Sequence, residues 1–369
     1  MIGHRRVEHT ARSLSPYGAK QLARCLVPHG VGVSCIGWQM GKAVLIDRPT
    51  VTNQQINSVV VTESVADSLF VYYSLAARRG ELFNLGAGGS RTPILNKGDF
   101  ERLPFMLPAL PEQRAIAQIL GTLDDKIELN RRMSETLEAM ARALFTSWFV
   151  DFGPVRAKAE RRDLRLPKHL ADLFPDSFDG SDLGEIPRGW RVVSLDQVAS
   201  IQGGKQLPTH ECGLSGTYPV YGANGIMGYT ERTTHEGFVI AFGRVGAYCG
   251  SIHWNYRGAW INNNASAVLP TLWPEFVLES VLNIDFDSMR TGSAQPFIPN
   301  SSLAAAQILR PHDAVLDAYC AKVEPLRMKQ VVAEEQCATL AALRDTLLPK
   351  LVSGELRVKN AETAVAAAV

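Results

Sequence analysis

At 369 residues, with 46% hydrophobic and 20% charged residues, the chain has ordinary globular composition and is long enough for two or three domains. Its formal net charge of +1 excludes a bulk electrostatic attraction to nucleic acid, so any such binding must use local basic faces. Its apolar runs, such as residues 59–61, fall far short of the ~20 residues a membrane helix needs, and its six cysteines contain no CxxC pair that would indicate a zinc site. The chain reads as a cytoplasmic protein.

Residues 1–108 read as a β-rich domain. An apolar strand at 31–36 enters a glycine turn at 37–41, a second strand follows, and a polar cluster, Asn53, Gln54, Gln55 and Asn57, precedes a third. Residues 109–152 read as a long helix. Ile116, Leu120, Leu123, Ile127, Asn130, Ser134, Leu137, Ala141, Leu144 and Trp148 alternate spacings of four and three, the seam of a coiled coil. A linker at 153–182 leads to a second β-rich domain at 183–311, where a strand at 238–242, a glycine turn at 246–250 and the cluster Asn262, Asn263 and Asn264 repeat the first pattern. A distal helix at 312–353 carries Tyr319, Val323, Leu326, Gln330, Ala333, Cys337, Leu340, Leu343 or Arg344, Leu347 and Leu351 on its own seam. Residues 354–369 read as a disordered tail.

The order is a duplication. Residues 96–148 recur without a gap at 299–351, pairing Pro108 with Pro311, Leu137 with Leu340 and Leu144 with Leu347. The predicted class is α+β: two β-rich α/β domains joined by two long helices packed as an antiparallel coiled coil, with an approximate two-fold internal repeat. Each helix, at about 38 residues and ~1.5 Å per residue, would run roughly 57 Å.

Catalytic motifs are missing from the sequence. No Walker motif, HExxH, GxSxG or helix-opening GxGxxG is present, and the glycine turns lack the spacing of a phosphate loop. Asp124 and Asp125 fit a solvated helix face. The Asn and Gln clusters are open to two readings, as base readers through paired hydrogen bonds or as turn formers. On the residues alone the chain binds or scaffolds.

One segment, LPALPEQRAIAQILGTLDDKIELNRRMSETLEAMARALFTSWFVDFGPVRAK at 107–158, resembles the central helical region of specificity subunits of type I restriction-modification systems. LRDTLLPKLVSGELRV at 343–358 resembles the end of their distal helix, and LGEIPRGWRVVSLDQVASIQGGK at 183–205 the opening of a target recognition domain. VSCIGWQMGKAVLIDRPTVTNQQIN at 33–57 and GGSRTPILNKGDFERLPFMLP at 88–108 resemble later parts of another such domain. The resemblance covers almost the whole chain.

The resemblance implies a subunit that is not an enzyme by itself. Its two recognition domains would each read half of a bipartite double-stranded DNA target, with the helices as a ruler between them. Two modification subunits, which carry S-adenosylmethionine and methylate adenine, would dock on the helices, and motor-nuclease subunits using ATP and Mg2+ would join for cleavage. No cofactor or metal is expected on this chain. The first domain enters the family pattern midway, without a counterpart of LGEIPRGW, so a longer native product is expected.

Candidate DNA contacts are Lys205, Gln206, Tyr221, Asn224, Arg244 and Asn263 in the second domain. In the first they are Lys42, Gln54, Arg78, Arg79 and Arg91. Asn, Gln and Arg suit base edges, whereas Lys205 and Lys42 suit phosphates. The competing reading is a coiled-coil adaptor carrying two ligand-binding β domains without DNA specificity.

Overall fold

Apolar residues spaced three and four apart build two long helices, Leu110–Phe145 (the central helix) and Asp313–Val352 (the distal helix). The computed structural model describes residues 5–7, 10, 12–87, 92–181, 184–292 and 295–366. They divide into two units, Met1–Ser134 with Val331–Val369, and Glu135–Gln330.

The first unit holds a three-stranded antiparallel sheet in the order Ala43–Ile46, Gly30–Ser34, Ile56–Val59. Its middle strand, rich in valine, buries Val31 and Val33 completely. The helix Ser68–Ala77 starts at Asp67, whose Oδ1 accepts from the backbone N–H of Leu69 and Phe70 at 3.0 Å. Phe70 and Tyr73 on this helix join a core built from Ile116, Leu120, Leu123 and Ile127 of the central helix and Leu340, Leu347 and Leu351 of the distal helix. Leu343 is half-buried against it. Within this unit the two helical segments run antiparallel: Asp124 bonds Arg344, the Ile127 carbonyl accepts from Cys337, and Asn130 donates to Gln336 at 3.0 Å. Asn130, 3% exposed, places a bonded polar layer in the seam, a device that costs some stability but fixes register.

The tail at 354–369, expected to be disordered, contains the helix Val358–Ala366. Val358, Ala361 and Val365 recur at helical spacing, and the last two are buried in the core of the first unit. Burial of this short apolar stripe stabilises a segment whose composition alone suggests a solvated end.

The second unit is built on a four-stranded antiparallel sheet ordered Ile252–Asn255, Val239–Gly243, Ala265–Pro270, Ala199–Gly203. Beside it Tyr218–Gly222 pairs antiparallel with Gly225–Thr230 and parallel with Trp260–Ile261. The central helix ends in a π-turn, Thr146–Val150. The wider turn lets consecutive residues Trp148 and Phe149 both enter the core, where they meet Tyr319, Phe145, Phe276 and Trp190. Leu137 and Val323 are buried and Leu144 is half-buried. On the distal helix the seam passes through Arg327, 1% exposed, whereas Leu326 is half-buried.

Both units contain the same glycine turn. In the first, Gly37 N–H donates to Pro93 O, Gly41 N–H to Ser34 O and Leu95 N–H to Cys35 O. In the second, Gly246 N–H donates to Pro296 O, Gly250 N–H to Gly243 O and Ile298 N–H to Arg244 O. Gly37, Gly41, Gly246 and Gly250 all have φ between 84° and 93°, a conformation that favours glycine. Arg244 therefore occupies the place that Cys35 holds in the first unit.

Candidate nucleic-acid interface

The second unit gathers most of its candidate contacts around one stretch of backbone, residues 261–264. Gly204 has no side chain because a Cβ there would lie 2.0 Å from the Asn262 carbonyl oxygen. That close approach lets Lys205 N–H donate to Ile261 O at 2.9 Å and puts exposed Lys205 and Gln206 beside exposed Asn263. On the other side Arg244 N–H donates to Asn264 O, and its Nη2 donates to Asn263 O at 3.2 Å. The guanidinium lies 5.8 Å from the Phe297 ring centroid, and its Nε has no hydrogen-bond partner among the described residues. It is held in place with donor capacity unspent.

Asn224 joins them through the hairpin. It sits exposed at the tip between Gly222 and Gly225, and the Ala223 carbonyl accepts from Ser251 Oγ while pressing on Gly243, where a Cβ would lie 2.4 Å away. Arg244 and Asn224 are each one residue from that contact. Lys205, Gln206, Asn224, Arg244 and Asn263 thus share a neighbourhood of polar, mostly exposed side chains.

Tyr221 does not belong to it. It is 5% exposed, its ring stacks on His253, and its hydroxyl donates to Trp254 O at 3.1 Å. This corrects the expectation of a DNA contact: an aromatic ring on the inner face of a strand is core, and its polar tip already has a backbone acceptor.

The structure adds two residues that the sequence did not single out. His235 Nε2 lies 3.4 Å from Gln202 Oε1, close enough to Lys205 that, after burial, the lysine charge also lowers the His235 pKa. Burial lowers the His253 pKa as well. Both imidazoles are neutral near neutral pH and can donate or accept. Neither had a motif, because their partners lie 33 residues away or in another strand.

In the first unit the candidates disperse. Gln54 is exposed beside the strand Ile56–Val59. Arg78 is corrected to a structural residue: its Nε and Nη2 grip both oxygens of Glu81 at 2.7 Å, and Nη1 donates to Pro104 O at 2.6 Å. The hydrogen bond to Glu81 is the main cause of its raised pKa, and reciprocally lowers that of Glu81. Lys42 and Arg79 face a cleft against the helices. Arg91 lies outside the described residues.

Residues 32–139 match the family described as type I restriction modification DNA specificity domain. The chain is 24% identical to the MjaIX type I specificity subunit of Methanocaldococcus jannaschii over 95% of its own length and 83% of that protein. It is 25% identical to the HindI specificity subunit of Haemophilus influenzae, over 72% of this chain and 71% of that one. Its fold is that of the crystal structure of a type I restriction-modification S subunit from M. genitalium, with a TM-score of 0.54 at 19% identity, covering 88% of this chain and 83% of the other. Over most of its length the chain is thus similar to specificity subunits of type I restriction-modification systems.

Proposed function

We propose that this chain is the DNA-reading subunit of a type I restriction-modification complex, with each unit recognising one half of a bipartite target. The observation that carries this reading is the convergence of Lys205, Gln206, Asn224, Arg244 and Asn263 around residues 261–264. Arg and Asn are suited to base edges and Lys to phosphates. The same position in the first unit is Cys35, with Gln54 and Gln55 where the second unit has Asn263 and Asn264; two units with one backbone and different side chains suit two different half-sites.

The central and distal helices pack as an antiparallel coiled coil that sets the spacing between the half-sites, and the duplicated arrangement gives the two-fold logic that paired half-sites require. Two modification subunits dock on the helices and supply S-adenosylmethionine chemistry at adenine, and motor-nuclease subunits bring ATP and Mg2+. This chain contributes recognition and binds none of those cofactors. Methylome sequencing of cells with and without the gene tests the reading: one bipartite adenine mark disappears with the gene, and a methylome that keeps every mark contradicts it.

A further inference from the structure

The first unit contains a cleft of about 600 Å³ between its sheet, its short helices and the long helical segments. Its floor is a charge network. Asp124 accepts from Tyr73 and from Arg344, both at 2.6 Å, Asp125 bonds Arg5, Asp345 bonds Arg344, and Glu128 bonds Arg132. Arg6, also at the cleft, is paired with Asp47. The four acidic groups lining the cleft are thus all engaged in ion pairs, sharing Arg5, Arg344 and Arg132 among them.

Three further cations line the same cleft without an ion-pair partner among the described residues: Lys42 after the glycine turn, Arg79 at a helix start, and Arg131 on the central helix. Their convergence depends on Gly41, whose φ is +84° and where a Cβ would lie 2.8 Å from the Arg79 carbonyl oxygen. The turn thereby rests directly on the Arg79 backbone and brings Lys42 to it. The remaining wall is apolar, with Tyr72, Leu129 and Leu348, and Leu129 is 60% exposed. Burial, reinforced by Asp124, pushes the Tyr72 phenol up to about 12, so it stays a neutral donor.

We propose that this cleft binds a small phosphate-bearing ligand of nucleotide size, with Lys42, Arg79 and Arg131 holding the phosphates and Tyr72, Leu129 and Leu348 packing against the remainder. Its volume falls within the roughly 300–1,000 Å³ of small-molecule sites, and Arg forks match phosphate oxygens. A concave site is shaped for a small anion, whereas a duplex needs side chains that project.

Calorimetric titration of the full chain with ATP, GTP, tripolyphosphate and adenosine tests this. Either nucleoside triphosphate should bind saturably, tripolyphosphate more weakly and adenosine most weakly. A triple Lys42→Gln, Arg79→Gln, Arg131→Gln variant should weaken triphosphate binding by about tenfold or more. Leu129→Glu, which keeps the three cations and changes only an exposed wall, should weaken it as well. Circular dichroism matching the wild type establishes that each variant is folded. Absence of saturable triphosphate binding at millimolar concentration, or binding that both variants leave unchanged, overturns the proposal. So does a duplex oligonucleotide that displaces the triphosphate and itself loses affinity in the triple variant, since the cleft would then be a DNA phosphate contact.

Discussion

Arg327 on the distal helix donates a hydrogen bond to Glu279 Oε1 on the helix Pro274–Leu282, with both side chains only 1% exposed. Arg327 also donates to Gln330 at 3.1 Å and stacks 5.2 Å from the Trp254 ring. Removing one partner of such a pair leaves an uncompensated buried charge, which typically costs ~3–5 kcal/mol, whereas replacing both by apolar residues is often neutral. Arg327→Ala is therefore predicted to destabilise the second unit by roughly that amount, and Arg327→Met with Glu279→Leu to recover most of it. Urea unfolding followed by tryptophan fluorescence checks this, because five of the six tryptophans lie in that unit.

Glu275 lies one helical turn away and is 3% exposed. Burial, reinforced by Glu324, holds its carboxyl above the usual carboxylate range despite bonds from its own backbone N–H and from Tyr256; burial and Glu275 together push the Cys320 thiol up to about 12. A folded-state pKa raised above the unfolded one gives stability that is complete below the unfolded value and lost as pH rises through the folded one. Unfolding midpoints measured from pH 4 to pH 8 should show a decline with rising pH that Glu275→Gln reduces. The variant should be the more stable protein at neutral pH.

Arg244 and Tyr221 should separate cleanly. Arg244→Ala is predicted to weaken binding of the second half-site by ~1–3 kcal/mol, the value of a good Arg contact to a base, and to relax the methylated sequence there. Unchanged affinity and methylation would remove Arg244 from the interface. Tyr221→Phe should leave the half-site alone and cost about 1 kcal/mol of stability, because the Trp254 carbonyl loses its donor.

What could be read from the sequence follows from where the interactions lie along it. The two long helices were legible because their seam repeats every three or four residues over many turns, and the glycine turns because positive φ leaves a composition signal. Side-chain fate was less legible. Tyr221 and Arg78 carry the chemistry of a DNA contact, yet one is core and the other is held by Glu81 and Pro104, facts set by packing. The Arg327 and Glu279 pair joins residues 48 positions apart, and no local pattern announces it. The helix Val358–Ala366 was missed because its apolar stripe is only three residues long and gains its stability from a core supplied by other segments.

The central claim, that the helices set the spacing between two half-sites, is tested by inserting four residues into each long helix and sequencing the methylome. Four residues add ~6 Å, close to two base-pair steps of ~3.4 Å. The predicted result is a longer spacer between unchanged half-sites. Altered half-sites with an unchanged spacer would contradict the account.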